Sequence, residues 1–201
     1  MRYCFYVMRK PAFARIKVGI LLGGVVFLVM LSAFRLNEEF VKTEIYEGVT
    51  VKLPKSFHPM SEAMLQRNYL SARPPLAAYT GEDGQVTFGM NTSNTQWQAK
   101  DLPMLQNFYR SSILELYDEV KFLQDTVVSI QGKPFAAFEF VATVRGEEDA
   151  LTPQKPLKNY VYVQYTVYEE KTYVFDFTCP ARQQNQWQDQ AHVIMGSVIM
   201  K

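Results

Sequence analysis

The sequence predicts an α+β domain in which an antiparallel β-sheet is flanked by helices as an α/β/α sandwich, together with one N-terminal transmembrane helix. Three observations lead to this prediction. An uncharged apolar run lies near the N-terminus, several aromatic-rich segments alternate apolar and polar residues, and two segments have helical periodicity. The segments follow the order strands, helix, four strands, helix, which favours an antiparallel sheet over a parallel βαβ array.

The apolar run covers residues 18–34, VGILLGGVVFLVMLSAF, and contains no charge. A helix of this length spans roughly 25 Å, and snorkelling of Lys17 and Arg35 brings it close to a hydrocarbon core of ~30 Å. Because no A-x-A-like cleavage site follows the run, we expect an uncleaved signal-anchor. A cleaved signal peptide, which would release a secreted module, and a buried helix of a soluble protein are the alternatives.

Charge is distributed unevenly around this run. Five cations and no acid precede it, whereas all 20 Asp and Glu follow it, with the other 16 Lys and Arg. The positive-inside rule therefore places the N-terminus in the cytoplasm and the long C-terminal part outside. The predicted organisation is a cytoplasmic basic leader at 1–17, a single-pass helix at 18–34 in the inner (cytoplasmic) membrane, a juxtamembrane segment at 35–47 and an extracytoplasmic α+β domain at 48–201.

Alternation of apolar and polar residues predicts the strands of this domain. A first strand at 49–53 ends at Pro54, and strands at 76–79 and 85–91 flank a Gly-containing hairpin loop. Strands at 120–130 and 135–144 are joined by a turn at 131–134. The strongest pair, at 159–168 and 172–179, is separated only by Glu169, Glu170 and Lys171, so we expect an antiparallel hairpin.

Two longer helices complete the predicted domain, and Ser61 is expected to cap a short helical turn before them. Asp101 is a suitable N-cap and Pro103 is tolerated in the first turn, which predicts a helix from 101 to 117. The last helix is predicted at 183–200, because Trp187, Ala191 and Ile194, followed by Met195 and Val198, lie on one stripe.

These residues resemble the DcrB-like and PsbP-like domains. The similarity lies in the segment GVTVKLPKSF at 48–57, the helix from Asp101, the aromatic hairpin YVYVQYTVYEEKTYVFDFTCP at 160–180 and a last helix ending near residues 196–199. The resemblance implies an antiparallel sheet flanked by helices and a non-enzymatic binding, assembly or chaperone role. This chain differs from DcrB-like lipoproteins because a membrane anchor takes the place of a lipid-attachment cysteine.

The sequence lacks the signatures of several function classes. The exported part is mildly acidic without a basic stripe, so we expect no nucleic-acid partner. Neither His58 nor His192 has metal-ligand spacing, and G-x-S-x-G, H-E-x-x-H, P-loop and Rossmann patterns are missing. We therefore expect no catalytic residue, metal or cofactor. Cys4 and Cys179 are predicted on opposite sides of the membrane, and Cys179 is expected to be a buried free thiol.

The best candidate for partner binding is the tyrosine face, which we define as Tyr160, Tyr162 and Tyr168. These three residues alternate on one side of a predicted strand. Phenol side chains combine an apolar body with a polar tip, which suits protein interfaces. The alternative is that the terminal helix covers them.

Two function hypotheses follow. The first is a membrane-anchored, non-enzymatic binding, assembly or chaperone-like protein of the cell envelope with a protein partner. The second is an envelope hydrolase with an unrecognised carboxylate site, because Glu139 and Asp176 interrupt apolar strands and could pair across the sheet. An exposed aromatic patch would favour binding, whereas convergence of Glu139, Asp176 or His58 in a pocket would favour catalysis.

Overall fold

The computed structural model describes residues 39–69, 74–93, 95–146 and 155–201. The expected leader and transmembrane helix at 18–34 lie outside these residues, as does the acidic run at 147–149. Among the described residues, no helix is long and apolar enough to cross a membrane.

Strands dominate the described chain from its first residues onward. In chain order they are β1 (Phe40–Tyr46), β2 (Val49–Pro54), β3 (His58–Pro59), β4 (Ala77–Thr80), β5 (Thr87–Thr92), β6 (Glu119–Ile130), β7 (Lys133–Val144), β8 (Leu157–Tyr168), β9 (Lys171–Pro180) and β10 (Ile199–Met200). The helices are α1 (Glu62–Asn68), α2 (Leu102–Leu116) and α3 (Gln184–Met195), with 3-10 turns at Ala99–Asp101 and Ala181–Gln183.

The larger sheet has seven strands in the order β3-β4-β5-β9-β8-β7-β6, and its strand pairs are antiparallel. The predicted hairpins β4–β5, β6–β7 and β8–β9 are therefore confirmed. Strand β8 lies near the middle of the sheet, and residues from Tyr160 to Thr166 are buried on both of its faces. This position explains why β8 alternates poorly in polarity.

Helix α2 packs on one face of the larger sheet. Its side chains Leu105, Tyr109 and Ile113 are buried against Phe138 and Phe140 of β7, among other residues. Asp101 precedes the helix as expected, but its carboxylate accepts a hydrogen bond from the backbone N–H of Gln98 instead of capping α2 itself.

The opposite face of the larger sheet is covered by two elements together, α3 and a smaller sheet of order β1-β2-β10. Trp187, Ala191 and Ile194 of α3 share a core with Val51 of β2 and Phe175 of β9. The α/β/α prediction is thus correct in its antiparallel sheet and flanking helices, and the smaller sheet adds to one of the two outer layers.

Two predicted boundaries differ from the structure. Residues 40–46, expected in the juxtamembrane segment, form β1 and pair with β2. The predicted last helix at 183–200 ends at Met195, because the Ser197 hydroxyl donates to the Ile194 carbonyl and accepts from the backbone N–H of Lys52. The chain then forms β10, which pairs with β2 and buries Met200.

Candidate functional site

Glu139 is a buried carboxylate under α3. Its side chain is 3% exposed, and its Oε1 accepts a hydrogen bond of 2.9 Å from the Tyr160 hydroxyl and another from the Gln188 amide. The Nε2 of His192 lies 2.9 Å from its Oε2. Since β7, β8 and α3 all contribute to this network, it fixes the helix to the sheet. It also supplies the hydrogen bonds that a buried carboxylate needs.

Asp176 lies on the other face of the sheet. Glu139 pairs with Tyr162 and Tyr162 with Phe177, whereas Asp176 pairs with Val163. Side chains directly opposite one another share a face and successive residues alternate. The sheet therefore separates Glu139 from Asp176, so the two do not form the carboxylate pair that the hydrolase alternative would need.

Gly89, the cross-strand partner of Asp176, makes room for the Asp176 carboxyl. A Cβ at Gly89 would lie 2.6 Å from Oδ1 of Asp176 and 2.9 Å from the hydroxyl of Tyr69. Burial raises the pKa of Asp176 from 3.8 to about 6. Burial, and secondarily the charge of Asp176, also raises the pKa values of Tyr69 and Tyr117. Asp176 is thus a desolvated carboxyl surrounded by phenols.

The two histidines do not join these carboxylates in one pocket. His58 is exposed in β3, opposite Thr80 at the edge of the larger sheet. Three strand spacings, roughly 14 Å, separate β3 from β9 and thus from Asp176. His192 contacts Glu139 from α3 with its side chain 47% exposed. Within the described residues, no group of three or more His, Cys, Asp or Glu is arranged to hold a metal ion.

The tyrosine face lies largely inside the protein. Tyr160 is 0% exposed and Tyr162 is 6% exposed. The ring of Tyr162 meets His192 of α3 edge-on, with 5.5 Å between centroids. Tyr168 is half-buried, with the ammonium of Lys133 4.2 Å from the centroid of its ring. The terminal helix therefore covers Tyr160 and Tyr162, and a binding role for the three tyrosines stays a prediction.

Cys179 is also buried, and it is a free thiol with 0% exposure. Its surroundings raise its pKa to about 12, chiefly by desolvation. The prediction of a buried free thiol is confirmed.

An exposed apolar surface occurs on the outward side of α2. Met104 is 63% exposed, and Phe108 and Leu114 are each 45% exposed. Phe108 lies against Trp97, with 5.7 Å between ring centroids. We call Trp97, Met104, Phe108 and Leu114 the α2 face. The sequence analysis did not single out this surface, although the i, i+4 spacing of Met104 and Phe108 was a usable signal.

Aromatic packing holds the α2 face in place. Phe108 contacts Tyr109 edge-on at 5.1 Å, and Tyr109 stacks on Tyr165 of β8 at 3.8 Å. The Tyr109 hydroxyl also hydrogen-bonds to Ser93 and Thr95, which lie in the loop leading to Trp97. The exposed rings are therefore connected to the core by a continuous series of contacts, as a preorganised binding surface requires.

Beside the α2 face lies a groove of about 700 Å³. It is lined by the loop Gln96, Trp97, Gln98 and Ala99, by Val167, and by Glu169 and Glu170 at the tip of the β8–β9 hairpin. Glu169 and Glu170 have φ angles of 48° and 60°. A two-residue turn of this kind normally uses Asn and Gly, because a side chain is strained at positive φ.

Comparison with known proteins gives a fold and not a family. No protein-family model matches this chain, and no curated protein matches it. Cyanobacterial PsbP (CyanoP) from Synechocystis sp. PCC 6803 is similar in structure, with a TM-score of 0.55 and 6% identity over 84% of this chain and 96% of that one. The Ran-binding protein Mog1p of Saccharomyces cerevisiae has a TM-score of 0.50 and 13% identity, over 82% and 96% of the two chains.

LpqN of Mycobacterium tuberculosis, described as involved in cell envelope biogenesis, has a TM-score of 0.49 and 12% identity over 85% of this chain and 96% of its own. The similarity to PsbP and Mog1p agrees with the resemblance noted in the sequence. The domain has the PsbP/Mog1-like α+β fold.

Proposed function

We propose that this chain is a membrane-anchored, non-enzymatic accessory protein of the cell envelope, whose extracytoplasmic domain binds a protein partner. The observation that carries the proposal is the α2 face. An aromatic pair, Trp97 and Phe108, lies one helical turn from the exposed Met104, and the exposed Leu114 follows further along the same helix. Surfaces of this kind mark protein interaction sites more often than catalytic ones.

The arrangement of the acidic residues supports binding over hydrolysis. A hydrolase of the kind considered needs two carboxyl groups in one cleft. Glu139 and Asp176 lie on opposite faces of the sheet, and Glu139 is occupied by hydrogen bonds from Tyr160 and His192, among others. A protein with this fold, Mog1p, is described as Ran-binding, so the fold is compatible with a protein partner.

The membrane location rests on the sequence. The uncharged run at 18–34 and its basic leader support an anchor with the N-terminus in the cytoplasm. The described domain begins at Glu39, so at most a short segment would connect it to the membrane.

Site-specific photo-crosslinking in cells tests the binding role. A photoreactive amino acid is placed at position 104 on the α2 face, and a matched control is placed at Val193, a 43% exposed residue of α3. We expect a discrete protein adduct from position 104 that is missing from position 193 and is lost when Phe108→Ser is added. Identical adducts from both positions, or none from position 104, would reject the proposal.

A further inference from the structure

A second groove lies between the smaller sheet and the tip of the β8–β9 hairpin, on the other side of that hairpin from the α2 face. Its volume is about 470 Å³, which is within the roughly 300–1,000 Å³ of small-molecule sites. The smaller sheet lines it with Tyr46, Val49 and Met200, and the hairpin lines it with Tyr168 and Tyr173. We call this cavity the inter-sheet groove.

Three tyrosines converge on the inter-sheet groove. Tyr46, Tyr168 and Tyr173 all pack against the core that α3 shares with the two sheets. The Tyr168 hydroxyl donates to the carboxylate of Glu169. Desolvation, and then the charge of Glu169, raises the pKa of Tyr168 and of Tyr173, and the phenol of Tyr46 contributes at Tyr173. The hydroxyl ends of the rings therefore lie near one another, and the groove has an aromatic wall.

Several hydrogen-bonding groups in this groove are accessible and unoccupied. The hydroxyls of Tyr46 and Tyr173 have no hydrogen-bond partner within the residues that the structure describes, and neither oxygen is shielded from solvent. Thr92, the cross-strand partner of Tyr173, adds an exposed hydroxyl, and Gln96 adds an exposed amide. Hydroxyls and amides both donate and accept, so the groove can satisfy a ligand that does the same.

The charges at the rim of the groove are of both signs. They are exposed and belong to three glutamates and two lysines, namely Glu47, Glu169, Glu170, Lys171 and Lys201. An anion would therefore meet carboxylates and a cation would meet ammonium groups. A neutral ligand with many polar groups can instead donate to the former and accept from the latter.

Backbone hydrogen bonds hold the walls of the groove in place. The N–H of Lys201 donates to the carbonyl of Gly48 at 3.1 Å, which ties β10 to the turn after Tyr46. The N–H of Ser93 donates to the carbonyl of Thr172 at 2.8 Å, which ties the loop after β5 to β9. Walls that are ordered before a ligand arrives reduce the entropic cost of binding.

We propose that the inter-sheet groove binds a neutral carbohydrate, with a pyranose ring against the tyrosine wall. A pyranose has an apolar C–H face, which suits the rings of Tyr46 and Tyr173, and a rim of hydroxyls, which suits Thr92, Gln96 and Glu169. A hydrocarbon ligand would instead leave these polar groups without partners. The proposal goes beyond the binding of a protein partner and does not depend on the α2 face or on the membrane anchor.

Saturation-transfer-difference NMR tests the proposal with the full chain in phosphatidylcholine nanodiscs, because many mild detergents carry a sugar of their own. The probes are maltose, cellobiose, lactose and N,N′-diacetylchitobiose, and empty nanodiscs are the blank. Sorbitol is the control ligand, since it has the hydroxyls of a sugar without the apolar ring face. Each ligand is titrated to obtain its dissociation constant.

Two pairs of variants locate the binding. Thr92→Trp fills the groove, and Thr126→Trp places the same ring at another exposed strand position, in β6. Tyr46→Ala removes one ring of the wall, and Tyr79→Ala removes a ring that is also half-buried against the same core but lies outside the groove. Urea denaturation checks that each variant is folded.

We expect at least one disaccharide to bind wild type, with the strongest saturation on its ring C–H protons, and sorbitol to bind at least about tenfold more weakly. Thr92→Trp should weaken the disaccharide about tenfold or more, and Tyr46→Ala about 2- to 10-fold. Thr126→Trp and Tyr79→Ala should stay within about twofold of wild type.

Failure of all four disaccharides to bind wild type would overturn the proposal. So would equal binding of sorbitol, because the tyrosine wall would then contribute nothing. Binding that Thr92→Trp leaves unchanged, or that Thr126→Trp weakens equally, would place the sugar outside the inter-sheet groove and would also reject it. Since Thr92 is exposed, this pair decides the matter even if Tyr46→Ala fails to fold.

Discussion

The substitution Asp176→Asn should stabilise the fold at neutral pH. Burial raises the pKa of this carboxyl from 3.8 to about 6, so the folded protein holds the proton more tightly than the unfolded chain. The free energy of unfolding therefore decreases as pH rises from about 4 to about 6, and the full loss is present above that range. An amide has nearly the same shape and carries no charge at any of these pH values.

The size of the effect follows from the pKa difference. One pKa unit corresponds to about 1.36 kcal/mol, so the interval from 3.8 to about 6 corresponds to about 3 kcal/mol. Asp176 as a whole residue is only partly buried, and solvent screening lowers the expected gain to about 1–3 kcal/mol at pH 8. At pH 4 the wild-type carboxyl is protonated in the folded state, and the advantage of the variant should largely disappear.

Urea denaturation of the full chain in detergent at pH 4, 5, 6, 7 and 8 measures this difference. Glu139→Gln is the matched control, because Glu139 is also buried but accepts several hydrogen bonds. That variant should be less stable than wild type at pH 8. If Asp176→Asn lowers stability at pH 8, or if its advantage is the same at pH 4, the desolvation argument is refuted.

Three other variants test the packing and the turn. Gly89→Ala should destabilise by about 1–3 kcal/mol in urea denaturation, since its Cβ would lie 2.6 Å from Asp176; an unchanged midpoint would contradict the close approach. Phe138→Ala, at a 0% exposed site, should cost about 3–5 kcal/mol, and a cost below about 1 kcal/mol would disprove the core assignment. Glu169→Asn combined with Glu170→Gly should raise stability by about 1–2 kcal/mol, because both positions have positive φ; lower stability would argue against the strained turn.

Apart from the two-residue β3, the strands of the larger sheet were predictable because their signal is local. Strand β9 alternates Phe175, Phe177 and Cys179 with smaller or polar residues, so the sequence alone identifies its apolar face. For β8, the sequence does not show in this way which face is covered by which element. Whether Tyr160 meets solvent or α3 depends on which side the last helix covers, and this choice is made by distant residues.

The smaller sheet was missed for a related reason. In β10, Ile199 and Met200 pair with Thr50 and Val49 across almost the whole length of the described domain. The helical spacing that Val198 continues gives no sign of this pairing. The relation between Glu139 and Asp176 likewise depends on strand register, since a shift of one residue exchanges the two faces. The α2 face was predictable in part, from the apolar residues left over on the outward side of a correctly predicted helix.

Topology mapping with a membrane-impermeant maleimide tests the central claim most directly. Cys179 should not react because it is buried and its pKa is raised to about 12, so Cys4 and an introduced Met104→Cys are the two informative thiols. Cys4→Ser serves as the matched control. In right-side-out vesicles we predict labelling of Met104→Cys at once and of Cys4 only after permeabilisation. Labelling of Cys4 first, or a mature chain that lacks Cys4 and leaves the membrane, would contradict the account of an anchored extracytoplasmic binding domain.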